Sequence, residues 1–578
     1  MGLCLEETCP RFEAHFSVHS VLYLNSTGSI VAFSGSISRT EPRMGQAKPE
    51  KGWIFTMPNQ ISCRDLAALM ASETMHAVFD VRERGEFNLG QISNATSLPR
   101  SQIEFRIAEL VPDRRIPIVV YDEGEGRAAL AAHALGEFGY EKVSILDGGL
   151  PGWRKEKFPA VSGVNVPSKA FGEKVHHERT IPEIYPEELK SLQERAADLM
   201  IFDVRTPEEY GRFCIPGGVN VPGGDLILWA EALRRKPETT VVVNCAGRTR
   251  SIIGTAGLLR LGLNNVRALK NGTMGWVLTG LELESAPARV APTAPDESRE
   301  QAREIALRIA EEERLSWVSA RELLDHLRRN DGGVTYLIDV RSEGEYEDSH
   351  IAGSLNIPGG QAVQRADDFV AVKNSRIIFV SNQSARAVMA AYWYRQMGFR
   401  DVKVLQAGLE AWRENGGLVE SGGRKKEPLG FETAKKLART LAPGEVNSLL
   451  QGSMASVLHV GSSTDFAAAH LPGSKWISRG WLELKLPSLL TDKAQPIVLS
   501  CRDGQESILA ARTLAEMRYK EIFVLDGGVQ TWARAGYPTE RGLGSCLVEP
   551  NDVVLSPSVK GDKEAMRRYL EWEVKLQQ

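Results

Sequence analysis

Four apolar runs in this chain end on related tetrapeptides: Phe79-Asp80-Val81-Arg82, Phe202-Asp203-Val204-Arg205, Ile338-Asp339-Val340-Arg341 and Leu458-His459-Val460-Gly461. Forty-two residues beyond each Asp or His stand Asp122, Cys245, Ser381 and Cys501, and 31 residues further on stand Trp153, Trp276, Trp412 and Trp532. Gly149, Gly272, Gly408 and Gly528 each precede their Trp by four. Chance does not hold two intervals constant four times. The steps from unit to unit are 123, 136 and 120 residues, too long for a solenoid, whose period is about 20–50. The repeating object is a whole domain, and 578 residues accommodate about four.

The units share a grammar. A polar helix, as at 64–70 or 186–192, is followed by the apolar run that ends at the tetrapeptide. A second run comes next (118–121, 241–244, 377–380, 497–500), then a short polar loop, an Ala/Leu-rich helix and a third run such as 143–146 or 522–525. Continuous β-branched runs alternating with helices indicate parallel strands buried on both faces. The fold class is α/β, a central parallel sheet flanked by helices in each unit. Ligands of such sheets bind beyond the carboxyl ends of the strands. Asp122, Cys245, Ser381 and Cys501 all stand at such an end.

The chain is 42% hydrophobic and 25% charged, ample apolar material for packed cores. Its net charge of −4 lacks the basic surplus of a duplex binder, so no nucleic-acid partner is expected. No apolar stretch reaches the 18 or more residues of a bilayer span, so no membrane partner is expected either. Seven scattered cysteines are not a disulfide framework, and free thiols suit a reducing, cytoplasmic setting. Cys4, Cys9, His15 and His19 have only five residues between the Cys and His pairs, where a zinc finger needs about twelve. No metal site or cofactor is expected. Residues 1–57 read as an extension, with Met57 as an alternative start.

Chemistry concentrates in the second unit, in Asn244-Cys245-Ala246-Gly247-Arg248-Thr249-Arg250-Ser251. A Cys between a buried strand and a helix N-terminus faces backbone N–H groups and the positive end of a helix dipole. Arg248 and Arg250 place a local charge of +2 beside it. These features predict a thiolate at neutral pH and a cradle for an anion, or for a persulfide on the Cys itself. Asp80, Asp203 and Asp339, each two residues before an Arg, read as structural ion pairs, and the four Trp as packing residues. His350 and His470 are assigned structural turns. Cys214 is placed as a packing residue rather than a resolving thiol.

The Asp-Val-Arg strand, the Cys-Ala-Gly-Arg-Thr-Arg loop and the later Gly-x-x-x-Trp resemble the rhodanese family of sulfurtransferases, in particular its proteins with four tandem domains. The resemblance implies rhodanese-like domains at 58–165, 180–288, 316–420 and 430–545. Between the second and third lies a connector helix at 289–315, whose stripe Ala302, Ile305 and Ile309 is apolar. A tail at 546–578 closes the chain, and its amphipathic helix at 563–576 is expected to dock on the last domain or on another chain. The resemblance also implies a catalytic Cys245 that accepts sulfane sulfur from a small anionic donor such as thiosulfate. That sulfur would pass through a persulfide to a thiol, cyanide or protein acceptor. Ala246, Gly247, Arg248, Thr249 and Arg250 would bind the donor, with Arg250 also catalytic.

The other loops depart from that pattern. Asp122-Glu123-Gly124-Glu125-Gly126-Arg127 and Ser381-Asn382-Gln383-Ser384-Ala385-Arg386 carry no thiol, so both units are expected to be inactive. Cys501-Arg502-Asp503-Gly504-Gln505-Glu506 keeps a Cys but has Glu506 at the place of Arg250. A nearby carboxylate raises a thiol pKa, which leaves Cys501 a secondary candidate. Two other readings stay open. One is a largely non-catalytic scaffold or a sulfide or redox sensor. The other, a cysteine phosphatase or arsenate reductase, calls for five residues between Cys and Arg, and here there are four.

Overall fold

The computed structural model describes residues 59–578 apart from 286–288, 290–291, 330–331, 383, 424–426, 453–454 and 577–578, together with two short paired strands, Tyr23–Leu24 and Ile30–Val31. Cys4, Cys9, His15 and His19 lie outside the described residues.

The second unit shows how the pattern folds. A helix α1 (Val166–Glu178) leads into β1 (Glu183–Ile184) and β2 (Leu199–Asp203). The short helix α2 (Pro207–Arg212), β3 (Val219–Asn220) and β4 (Thr240–Asn244) follow. The unit ends with α3 (Thr249–Arg260), β5 (Val266–Leu269) and α4 (Gly272–Leu278). The sheet order is β1-β5-β4-β2-β3, with every pairing parallel. Val241, Val242 and Val243 of β4 are buried, as the unbroken apolar run requires of a central strand covered on both faces. The third and fourth units repeat the order, again all parallel. In the first unit, strand His76–Asp80 also accepts an antiparallel partner, Val372–Lys373, from the third.

Each recurring landmark of the spacing has a structural job. Asp203 Oδ1 accepts from Arg205 Nε at 2.8 Å, and Arg205 donates onward to the Phe213 carbonyl. Asp80–Arg82 and Asp339–Arg341 repeat the pair. The Trp Nε1 groups of 153, 276, 412 and 532 donate to the carbonyls of Pro159, Glu282, Leu418 and Pro538, each six residues on. Gly272 has φ +55°, and a Cβ there would lie 2.2 Å from the Cys245 carbonyl oxygen. Only glycine tolerates both the left-handed backbone and that approach. His350 and His470 stack on Tyr346 and Phe466 and bond to their carbonyls. Cys214 lies on a two-stranded ribbon with Arg289 at 3.4 Å.

The units pair through equivalent turns, each opening 19 residues after the Asp or His of its tetrapeptide. Pro222-Gly223-Gly224 of the second meets Pro358-Gly359-Gly360 of the third, so closely that a Cβ on Gly224 would stand 2.9 Å from Gly359 Cα. Arg386 of the third unit reaches Asp225 of the second. In the first and fourth units the turn arginines Arg100 and Arg479 pair with Glu483 and Glu104 of the helices that follow the opposite turns, while Arg127 lies 3.9 Å over the Trp481 ring. The connector helix α5 (Asp296–Glu312) buries Ala302, Ile305 and Ile309, and its Glu297 and Glu312 pair with Arg235 and Arg260 of the second unit. The tail helix α6 (Lys563–Lys575) does not dock on the last unit. Its Met566 and Leu570 pack on Met274 of α4 in the second unit, because its apolar stripe matches that face. Among the described residues, no helix is long and apolar enough to cross a membrane.

Candidate active site

Cys245 stands at the carboxyl end of β4 and is 2% exposed. Its carbonyl accepts from Thr273 N and that of Ala246 from Met274 N, so the start of α4 holds the loop from below. Cys245 Sγ lies 3.4 Å from Ser251 Oγ, whose own hydroxyl donates to the Arg248 carbonyl at 2.8 Å. Arg250 is clamped by Glu209 of α2 through two bonds of 2.6 and 2.8 Å, a bidentate geometry that fixes the guanidinium plane. Arg250 pulls the Cys245 thiol toward ionisation, yet burial acts more strongly and pushes it above the ordinary thiol value. Burial thus opposes the thiolate that the charges of the loop favour.

The local charge of +2 is corrected. Arg248 turns to α1, where Glu173 accepts from its Nε at 2.6 Å and from a terminal nitrogen at 2.9 Å. Thr249 Oγ1 donates to Glu573 of α6 at 2.5 Å. Lys169 of α1 lies 4.9 Å over the Tyr569 ring and 4.8 Å over Trp572. Arg248, Arg250 and Lys169 thus face the carboxylates Glu173, Glu183, Glu209 and Glu573.

A family model for the rhodanese-like domain matches residues 62–156, 185–279, 319–415 and 442–535. The chain belongs to the rhodanese-like family. It is similar over 90% of its length to the crystal structure of a thiosulfate sulfurtransferase from Pseudomonas aeruginosa, at 37% identity and TM-score 0.82, covering 97% of that chain. Single-domain stretches resemble the thiosulfate sulfurtransferase GlpE of Ectopseudomonas mendocina, 33% identical over 17% of this chain and 85% of that protein. A longer stretch resembles the 3-mercaptopyruvate sulfurtransferase of Escherichia coli, 27% identical over 33% of this chain and 77% of that protein.

The four rhodanese-like units differ at equivalent positions. Arg127–Glu86 in the first and Arg386–Glu345 in the third reproduce the Arg250–Glu209 clamp, each pair 41 residues apart. In the first unit Asp122 takes the place of the Cys, and its carboxylate accepts from the N–H groups of Gly124, Gly126 and Ala128. A resident carboxylate thereby fills the anion cradle. In the third, Ser381 Oγ accepts from Ala387 N. In the fourth, Cys501, Asp503 and Glu506 bring side-chain acceptor atoms within 4.8 Å of one another. Burial and then Glu506 push the Cys501 thiol up to about 12. His459, at the place of Asp203, is buried with Nε2 unpartnered and is pushed down to about 3.

Sequence reasoning missed Glu209, Glu173 and Glu573. A signal for Glu209 existed, since Glu86, Glu209 and Glu345 stand six residues after the strand Asp in each clamped unit. Glu173 and Glu573 lie on α1 and α6, outside the repeat, and had none.

Proposed function

We propose that this protein is a rhodanese-type sulfurtransferase working through Cys245. One observation carries the reading. Among the four loops, the second joins a cysteine at the strand end to an arginine held by a carboxylate clamp and to a serine oxygen that accepts from the thiol. The sulfurtransferase names of the relatives support it.

In the first half-reaction Cys245 gives its proton to solvent, and the thiolate attacks the outer sulfur of thiosulfate. The sulfur–sulfur bond of the donor breaks, sulfite leaves with the electron pair, and Cys245 becomes a persulfide. Loop amides from Ala246 to Thr249 and the Arg250 charge stabilise the anion that develops. In the second half-reaction a thiolate or cyanide attacks the terminal sulfur and the Cys245 thiolate departs. This is two-step covalent catalysis. Thiosulfate as the donor and a thiol, cyanide or protein as the acceptor belong to this proposal. So does a cytoplasmic setting, which suits the free cysteines 63, 214, 245, 501 and 546.

The test is thiocyanate formation from thiosulfate and cyanide, repeated with 3-mercaptopyruvate as donor. Cys245→Ser is expected to abolish it and Cys501→Ser to leave it. A gain of one sulfur atom on the Cys245 peptide after thiosulfate treatment supports the persulfide. Full activity in Cys245→Ser overturns the assignment, and no transfer from either donor leaves the scaffold reading in its place.

A further inference from the structure

The tail helix α6 belongs to none of the four repeated units, yet it closes over the one loop equipped for chemistry. Met566 and Leu570 anchor it on Met274. One helical turn beyond Tyr569, Glu573 points inward and is 1% exposed. Its Oε1 accepts from Thr249 Oγ1 at 2.5 Å, while Oε2 has no hydrogen-bond partner among the described residues. That free oxygen lies 3.2 Å from where a Cβ on Gly247 would stand, with Tyr569 and Leu570 beside it. A carboxylate thus sits against Gly247 and Thr249, two residues of the loop that would cradle an anion.

We infer that Glu573 determines which reagents reach Cys245: its carboxyl group lies against the loop beside Gly247 and Thr249, so an anionic donor approaches the sulfur past a like charge. The chemical grounds are two. A second anion entering beside Glu573 meets like-charge repulsion in a poorly solvated site. An uncharged reagent meets only the steric cover of α6. Burial pushes the Glu573 carboxyl above its usual range, while Lys169 on α1, the Thr249 hydroxyl and Arg248 favour its charged form and Glu173 on α1 opposes it. All four groups remain when Glu573 is replaced by its uncharged isostere. Glu573 is therefore a specificity residue that acts on entry, distinct from the sulfur chemistry at Cys245.

As a refinement of the transferase reading, this inference rests on Cys245 being the sulfur acceptor. Its test is read without turnover. The full-length protein is treated with iodoacetate, an anion, or with iodoacetamide, its neutral counterpart, and alkylation of the Cys245 peptide is followed by mass spectrometry. In Glu573→Gln, which keeps an acceptor for Thr249, the iodoacetate-to-iodoacetamide rate ratio is expected to rise about tenfold, equivalent to about 1.4 kcal/mol. The KM for thiosulfate is expected to fall more than kcat changes. An unchanged ratio overturns the inference. Should the variant fold poorly, the unsubstituted protein decides: its ratio at Cys245 must lie below that of the same cysteine in urea, and equality overturns the inference. The two readings fail separately. A shifted ratio with no thiocyanate from any donor sinks the transferase and leaves the gate. Thiocyanate with an unmoved ratio and KM sinks the gate alone.

Discussion

The second and fourth units hold a cysteine at the same strand end and on the same backbone, yet they treat it differently. Gly272 and Gly528 lie beneath the two loops with the same left-handed φ, and both give way to the cysteine carbonyl. The contrast shows at four positions. Arg250 becomes Glu506, its clamp partner Glu209 becomes Asp465, and the Asp203–Arg205 pair becomes His459 and Gly461. Cys245 is buried but has a held guanidinium to offset the loss of water. Cys501 is buried among carboxylates. A shared fold therefore supplies the cradle, and the charge placed around it decides whether the sulfur can ionise.

Removing the guanidinium tests that comparison with the largest effect. Arg250→Ala is expected to lower kcat/KM for thiosulfate by about 100-fold, the scale of losing one group that stabilises developing charge. It also strands Glu209 and takes about 2 kcal/mol from stability, as the loss of charged hydrogen bonds does. Steady-state kinetics and denaturant unfolding check both. Arg127→Ala in the first unit, which carries the same clamp, is expected to show the stability loss without the kinetic one. Equal kinetic losses from the two variants would break the comparison.

Acid distinguishes the units next. His459 is neutral and buried, and its folded value of about 3 lies below the unfolded value of about 6.5. The unfolded chain takes up the proton first, so stability falls as pH drops from about 6.5 toward 3. Between pH 6.5 and 5 the loss is about 2 kcal/mol at most. Hydrogen exchange followed strand by strand checks it. Protection of Ser456–His459 is expected to weaken over that range while that of β2 holds, and His459→Asn is expected to cancel the difference.

Much of this was legible in the sequence, for a physical reason. The landmarks recur because each satisfies a local demand of one backbone: a glycine under a carbonyl, an indole N–H on a carbonyl six residues away, an Asp beside its Arg. Such demands leave fixed intervals. The charge balance of the site was not legible, because its carboxylates arrive over long separations. Glu173 meets Arg248 across 75 residues and Glu573 meets Thr249 across 324. Counting arginines within the loop left out burial, which pushes the Cys245 thiol up and could not be read from residues 245–251. The docking site of α6 failed for the same reason. An amphipathic helix states that it needs an apolar face, and many faces in a four-unit chain would serve.

The smallest expected effect probes the fourth loop directly. If charge silences Cys501, Glu506→Gln removes one of the causes that hold its thiol near 12. Burial is the larger cause and remains, so the thiol should move down by about one unit, near 1.4 kcal/mol, and stay above the ordinary range. Cys501 alkylation measured against pH in the intact protein reports this shift, and the Cys245 profile in the same sample serves as the reference. A profile that does not move would mean that burial alone suppresses Cys501. The contrast between the two units would then rest on access to solvent rather than on the exchange of Arg250 for Glu506. A profile that falls to the ordinary thiol range would mean the reverse, that one carboxylate outweighs the loss of water.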